Sequence, residues 1–216
     1  MLETVIKPKT LKETALEQLR MAIMTGQLTP GERLVERSIG EQLGVSRTVV
    51  RECIRHLESE HLVTVSASGP LVTILDSDEI RQIYQLRAML ECEAVRHCAQ
   101  QVTPEIVQSL QDDLNQIRVE LSAGDIVGAL EHARLFYEYL FVTAGMTVAW
   151  ELTDRLNGRI GRLRFMTLST KGRAVEGPDN LQKIIDGIAK GDSEAATDAC
   201  KKHINEVCRI SLRFDN

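Results

Sequence analysis

Apolar positions along this chain recur almost everywhere with the period of a helix. Leu11, Ala15, Leu19 and Ile23, with Leu16 beside them, form a stripe that opens after Thr10, a residue able to N-cap, and ends at Gly26. Val35, Ile39 and Leu43 then fall at i, i+4 and i+8 and predict a short second helix. Gly44 ends it, because glycine takes the left-handed C′ conformation without a Cβ clash. Pro30-Gly31 marks a turn ahead of it. Ser46 caps a third helix reaching about Glu60, with Val50, Ile54 and Leu57 on its apolar face. Only then does the pattern change. Val63–Val65 and Val72–Ile74 are β-rich and flank a Ser-Ala-Ser-Gly-Pro loop, which predicts a hairpin.

From Asp76-Ser77 onward the helical period returns. Glu79–Gln100 carries Ile80, Ile83, Leu86, Leu90 and Ala94. Thr103-Pro104-Glu105 supplies an N-cap, a first-turn proline and an acid facing the helix dipole, and opens a helix that stops at Gly124. Asp125 to about Ala144 is a third helix of this half, and Val148–Met166 a fourth, broken near Gly158 and Gly161. A loop is expected over Leu168–Pro178, with Lys171, Gly172, Arg173 and Gly177, and then two last helices, Asp179–Lys190 and Ser193–Leu212. The fold class is therefore mainly α. An N-terminal winged helix-turn-helix, three helices plus a β-hairpin wing, occupies residues 1–75, and an all-helical antiparallel bundle of six helices occupies residues 76–216. Met1–Lys9 reads as a short polar lead.

Charge refines this division. The chain has 26 basic and 31 acidic residues, a net charge of -5, and the acidic excess lies wholly in the second half, since residues 1–75 balance. A reader of nucleic acid in the first half would work through local clusters of arginine, helped by a second copy, more than through long-range steering. No run approaches the roughly 20 apolar residues of a membrane span, and the N-terminus has no apolar leader core. Five cysteines, odd in number and without a C-x-x-C pair, fit a reducing cytoplasm and small apolar core positions.

The chemistry concentrates at the start of the third helix. Ser46, Arg47, Thr48 and Arg51 occupy its first turns, and Arg47 and Arg51, four apart, share the face opposite the apolar residues. Exposed N–H groups, two hydroxyls and two guanidinium forks suit phosphate clamping and guanine contact in a major groove. The run P-G-E-R-L, then L-G-V-S-R-T-x-V-R-E, then L-E-S-E-H-L-V resembles the DNA-binding domain of GntR-family bacterial transcription regulators. That resemblance places Arg37, Ser46, Arg47, Thr48, Val49 and Arg51 at operator-contacting positions, with Ser68-Gly69 at a wing tip that enters the minor groove. Val49 stands where the family commonly has proline.

The second half resembles the FCD-type effector domain of the FadR subgroup. The motifs are the opening Ile83-x-x-Leu86-Arg87-x-x-Leu90-Glu91 and the closing I-x-x-G-D-x-x-A-A-x-x-A-x-x-x-H run from Ile188 to His203. The resemblance implies a domain that binds an effector and dimerises. That subgroup often holds a divalent metal through an Asp and a His four apart plus two later His. Here the corresponding positions are Ala133, Tyr137 and Leu181, and only His203 matches, so no metal or other cofactor is expected. The candidates for effector binding are Arg87, Tyr84, Tyr137, Arg159, Arg162, Arg164 and His203, because guanidinium forks grip carboxylates and phenols or imidazoles add hydrogen bonds. No catalytic motif appears, so an enzyme is not expected. The expectation is a cytoplasmic, ligand-responsive homodimer, read as a repressor. It would bind a palindromic double-stranded operator and sense a small organic acid, with no membrane partner. The alternative is a DNA-binding dimer whose bundle only dimerises.

Overall fold

Capping and glycine placement set most element boundaries in this chain. The computed structural model describes residues 10–170 and 172–214. The polar lead Met1–Lys9 and Lys171 of the expected loop lie outside them. The chain forms two compact units that divide between Ile74 and Leu75.

In the first unit, α1 (Leu11–Met24) opens with a capping box. Thr10 accepts from the Glu13 backbone, and the Glu13 carboxylate accepts from the Thr10 N–H at 2.7 Å. Ala15, Leu19 and Ile23 are buried as the stripe requires, whereas Leu11 is exposed. The second helix, α2 (Glu36–Leu43), buries Ile39 and Gly40; Val35, expected on its apolar face, is instead the exposed N-cap residue. Gly44 ends α2 at φ 65°. A Cβ at Gly40 would sit 2.9 Å from the Val45 carbonyl oxygen, so that glycine lets α2 turn closely into α3 (Arg47–Ser59). Ser46 caps α3 by accepting from the Val49 N–H at 3.3 Å, and Val50, Cys53, Ile54 and Leu57 are buried beneath it.

The wing is tighter than its sequence suggests. Strand β1 (Val63–Ser66) pairs antiparallel with β2 (Gly69–Val72), Val63 opposite Val72 and Ser66 opposite Gly69. The second strand thus starts at Gly69 and not at Val72, and the expected five-residue loop contracts to Ala67-Ser68. Gly69 at φ 112° permits this, and the Ser66 hydroxyl closes the turn by accepting from the Ser68 N–H and donating to the Gly69 carbonyl. The P-G-E-R-L segment adds to the outer edge of β2. Gly31 and Leu34 donate to the Val72 and Pro70 carbonyls, and Val72 donates to Glu32, each at 2.9 Å.

The second unit holds seven α-helices among the described residues, one more than expected. They are α4 (Ser77–Gln100), α5 (Pro104–Ala123), α6 (Ile126–Thr143), α7 (Thr147–Arg159), α8 (Gly161–Ser169), α9 (Arg173–Ala189) and α10 (Ser193–Ser211), and a short 3-10 turn follows. The expected fourth helix is split at Ile160 between the two glycines. The expected loop over Leu168–Pro178 is largely helical, because α9 starts at Arg173 and contains Pro178. A proline in the second turn forfeits one hydrogen bond, to the carbonyl four residues earlier, without dismantling the first turn. Gly177 and Pro178 are buried.

Two local features shape the bundle. On α4 the apolar stripe is displaced from its expected position: Leu86 and Met89 are 48% and 59% exposed, while Arg87 and Glu91 are buried at 4% and 0%. Between α9 and α10, a Cβ at Gly187 would come within 2.7 Å of Ala196 Cα, so these helices touch backbone to backbone. Ile80, Leu110, Leu114, Phe136, Leu140 and Ile184 are among the fully buried side chains that fill the interior.

Candidate functional site

The arginine face of α3 forms as the spacing predicts. Ser46, Arg47, Thr48 and Arg51 are exposed, with Ser46 at the helix N-terminus. Arg51 is held: its Nε and Nη2 donate to the two carboxylate oxygens of Glu36 on α2, at 3.0 and 2.8 Å. The hydrogen bond from Arg51, opposed by slight desolvation and supported by its charge, keeps the Glu36 carboxyl below the usual carboxylate range. Arg37, on α2, is exposed and donates to Glu41 at 2.9 Å. Val49 differs from its neighbours, because its side chain packs partly against the core of the unit. Ser68 is exposed in the wing turn, and Gly69 follows it as the first residue of β2.

Sequence reasoning missed two cations. Arg55 is exposed one turn beyond Arg51, so Arg47, Arg51 and Arg55 run at i, i+4 and i+8 along one face. That spacing was readable. Arg33 lies in the segment added to β2, and a Cβ at Gly69 would be 3.5 Å from its Nε, which puts a guanidinium beside the wing tip. The pairing of P-G-E-R-L with the wing is a tertiary feature with no local signal.

Within the bundle, a small cavity of about 70 Å³, partly open to solvent, lies among α4, α5, α6, α8, α9 and α10. Ala133, Tyr137, Leu181 and His203, the four positions where the resemblance places metal ligands, all line it. Most of the remaining wall is aliphatic, with Leu121, Leu130 and Ile204 prominent. Three further polar residues line it, Arg87, Arg164 and Thr167.

These two arginines stand in different electrostatic situations. Arg87 Nε donates to Glu91 at 2.6 Å, and its guanidinium carbon lies 5.3 and 6.0 Å from the ring centres of Tyr84 and Tyr137. Burial works against its charge, but Glu91 and the two phenols more than offset this and raise its pKa. Arg164 has no carboxylate partner among the described residues, and burial followed by repulsion from Arg87 lowers its pKa. The Tyr137 hydroxyl is buried without a hydrogen-bond partner, as is Glu91 Oε2. Desolvation, then the Glu91 charge, pushes the Tyr137 phenol well above its usual range.

Three of the expected effector residues are placed elsewhere. Tyr84 is buried behind Arg87, its hydroxyl 2.8 Å from Ser211 Oγ. Arg159 donates to Glu79 at 2.8 Å, and Arg162 does not line the cavity. Arg159 ends α7 before the break at Ile160, and Arg162 and Arg164, two apart on α8, point to nearly opposite sides of it, so of the R-x-x-R-x-R run only Arg164 reaches the cavity. The donors do not fit a divalent cation. Among the described residues no three His, Cys, Asp or Glu side chains converge, and two arginines face the space a cation would share.

An arginine-bearing winged helix followed by a helical bundle with an internal polar-edged cavity defines a DNA-binding transcription regulator and not an enzyme. Comparison with known proteins gives the particular group. Residues 11–70 match the model of the bacterial regulatory proteins of the gntR family, and residues 82–206 match the FCD domain. The chain belongs to the GntR family, in the group whose C-terminal part is an FCD domain. The HTH-type transcriptional repressor RspR of Escherichia coli K12 is 24% identical over 211 residues, covering 95% of this chain and 91% of that one. The Nta operon transcriptional regulator of Aminobacter aminovorans is 33% identical over 137 residues, 63% of each chain. The fold is shared with E. coli McbR/YncC, with a TM-score of 0.73 at 23% identity, covering 97% of this chain and 100% of that one. None of the described helices is long and apolar enough to cross a membrane.

Proposed function

We propose that this regulator is a cytoplasmic homodimer, acting as a repressor, that binds a palindromic operator through Arg47, Arg51 and the wing, and that its bundle senses a small organic acid without a metal. One observation carries the effector reading. The cavity has two guanidinium groups, only one of them paired with a carboxylate (Glu91, behind Arg87), and a buried phenol without a hydrogen-bond partner among the described residues, in mostly apolar walls that also carry Thr167 and His203. An anion balances that charge. Its carboxylate meets Arg164, Tyr137 donates to it, and an apolar body lies against Leu121, Leu130 and Ile204. Burying such a body contributes roughly 25 cal/mol per Å², so affinity does not require a metal. The position of α4 offers a route for the response: it carries Arg87 and starts three residues after the first unit ends, so a shift of α4 acts directly on the junction.

Two symmetric readers on two half-sites supply the specificity that one cannot. Sedimentation should show a dimer at micromolar concentration, and a monomer footprinting a single non-palindromic site would overturn that part. For the effector, thermal shift in the presence of chelator should show stabilisation by aliphatic or aromatic monocarboxylates and none by their amides. Arg164→Ala should abolish the shift while leaving the ligand-free melting point unchanged or higher, because it removes a repelled cation. If no acid in a broad panel shifts the wild-type protein, a bundle that only dimerises is the better reading.

A further inference from the structure

The wing carries no charge of its own. From Leu62 to Leu75 the sequence contains neither an acidic nor a basic residue. The polar groups at the tip are engaged with one another. The Ser66 and Ser68 hydroxyls lie 2.7 Å apart, and Ser66 also bonds the Ser68 N–H and the Gly69 carbonyl. Such a hairpin alone has little to offer a groove walled by phosphates.

Arg33 supplies what the hairpin lacks. Its backbone bridges to Leu71, and the flanking Gly31, Glu32 and Leu34 bond to Val72 and Pro70, so this segment behaves as a third strand of the wing. Alternation along it turns Leu34 into the core, at 2% exposure, and Arg33 to the solvent face. Opposite Leu71, Arg33 shares that face with Gly69, two residues away on β2. A Cβ built on Gly69 would lie 3.5, 3.6 and 3.9 Å from Arg33 Nε, Nη2 and Cζ. The guanidinium head therefore rests at the tip. It has no carboxylate partner among the described residues, whereas Arg37 and Arg51 are held by Glu41 and Glu36. The adjacent Glu32 accepts instead from the Thr29 N–H and hydroxyl, at 2.8 and 3.1 Å.

We propose that Arg33 is the minor-groove reader of this regulator: the wing carries its guanidinium between the phosphate backbones beside the segment read by α3, where it selects A·T pairs. A·T tracts narrow the minor groove and deepen its negative potential, which draws an arginine, and G·C pairs put the guanine amino group in its path. A planar, weakly hydrated guanidinium suits that slot better than an ammonium. The inference rests on α3 and the wing being the DNA-contacting surface, and it adds a residue that belongs to neither.

The test uses a library of random-sequence duplexes, from which the full-length protein selects its own sites at fixed salt. Wild type should enrich a two-fold site whose core is flanked by A·T pairs. Arg33→Gln should keep the core and lose the flanking bias, whereas Arg47→Ala should degrade the core and keep the bias. On the best wild-type duplex, exchanging the flanking A·T for G·C pairs should weaken wild-type binding roughly tenfold, the size of one lost readout contact. The same exchange should leave Arg33→Gln binding unchanged. If Arg33→Gln does not fold, Arg33→Lys decides, since it keeps the charge and should lose most of the A·T preference. A flanking bias that survives in the variant, or a wild-type pool with a core and no bias, overturns the proposal and leaves the reading of α3 intact. Equal losses by Arg33→Gln on both duplexes would make Arg33 a phosphate contact and overturn it likewise. A wild-type pool with no two-fold core, or an Arg47→Ala pool with an unaltered core, would overturn the reading of α3 itself, and the proposal with it.

Discussion

Both units contain an arginine held by a glutamate, and the two pairs behave as opposites. Arg51 and Glu36 meet at the surface, with side chains 58% and 28% exposed. Arg87 and Glu91 meet in the bundle at 4% and 0%. At the surface, water screens the attraction and stands ready to solvate either partner, so a phosphate can replace the glutamate at small cost. In the interior neither charge can be left alone, and the pair acts as one unit. On the proposed reading, the first therefore stores a cation for use by DNA. The second sets Arg87 in the cavity wall, and on the same proposed reading Arg164, which has no carboxylate partner among the described residues, is the cation available to an anion.

The sharpest way to break this contrast is Glu91→Ala. Arg87 would remain buried with no counter-charge, and stability should fall by about 3–5 kcal/mol, read by urea unfolding of the full chain. The double change Arg87→Met with Glu91→Leu removes both charges and should restore most of that loss, since well-packed apolar replacements of a buried pair are often neutral or better. A single Glu91→Ala variant as stable as the wild type would mean that water reaches Arg87. The matching change on the other unit is Arg47→Ala, which should leave the melting point unmoved and weaken operator binding by about 1–3 kcal/mol at fixed salt. Unaltered binding would mean that α3 is not the reading helix.

The same contrast explains how much was legible in the sequence. Local features with local causes were readable. The caps at Thr10, Ser46, Thr103 and Asp192 and the stops at Gly44 and Gly124 all stand where their side-chain chemistry puts them. The exposed face of Arg47 and Arg51 was readable too, because solvent imposes no further condition on it. The α4 stripe was misjudged at Leu86, which looks like core but is exposed; Arg87, expected at an effector site, is buried in its place, made tolerable by Glu91 and the Tyr137 ring, while Ser211 on α10 satisfies the buried Tyr84 hydroxyl. Arg164 could not be distinguished from Arg159 and Arg162, since the break at Ile160 that sets its direction depends on packing. The helical start of α9 was hidden by Pro178 for a similar reason.

The smallest effect is the most informative about the surface pair. Glu36→Gln keeps the size of the side chain and a hydrogen-bond acceptor for Arg51, while removing the negative charge. Because the Glu36 carboxyl titrates below its usual range in the folded protein, the stabilisation from this pair is fully present above the usual carboxylate pKa. It is lost only as pH falls through the depressed value, so at neutral pH the pair is complete and mild acid does not release Arg51. Mutation is therefore the way to release it. The melting point of Glu36→Gln should stay within the scatter of wild-type replicates, as expected for an exposed ion pair. Operator affinity should rise by roughly two- to fivefold, with a steeper dependence on salt, because one more net positive charge faces the phosphates. A fall in affinity with an unchanged salt dependence would show instead that Glu36 orients Arg51 for a base. In that case the surface pair, like the buried one, would be a fixed part of its site and not a reserve.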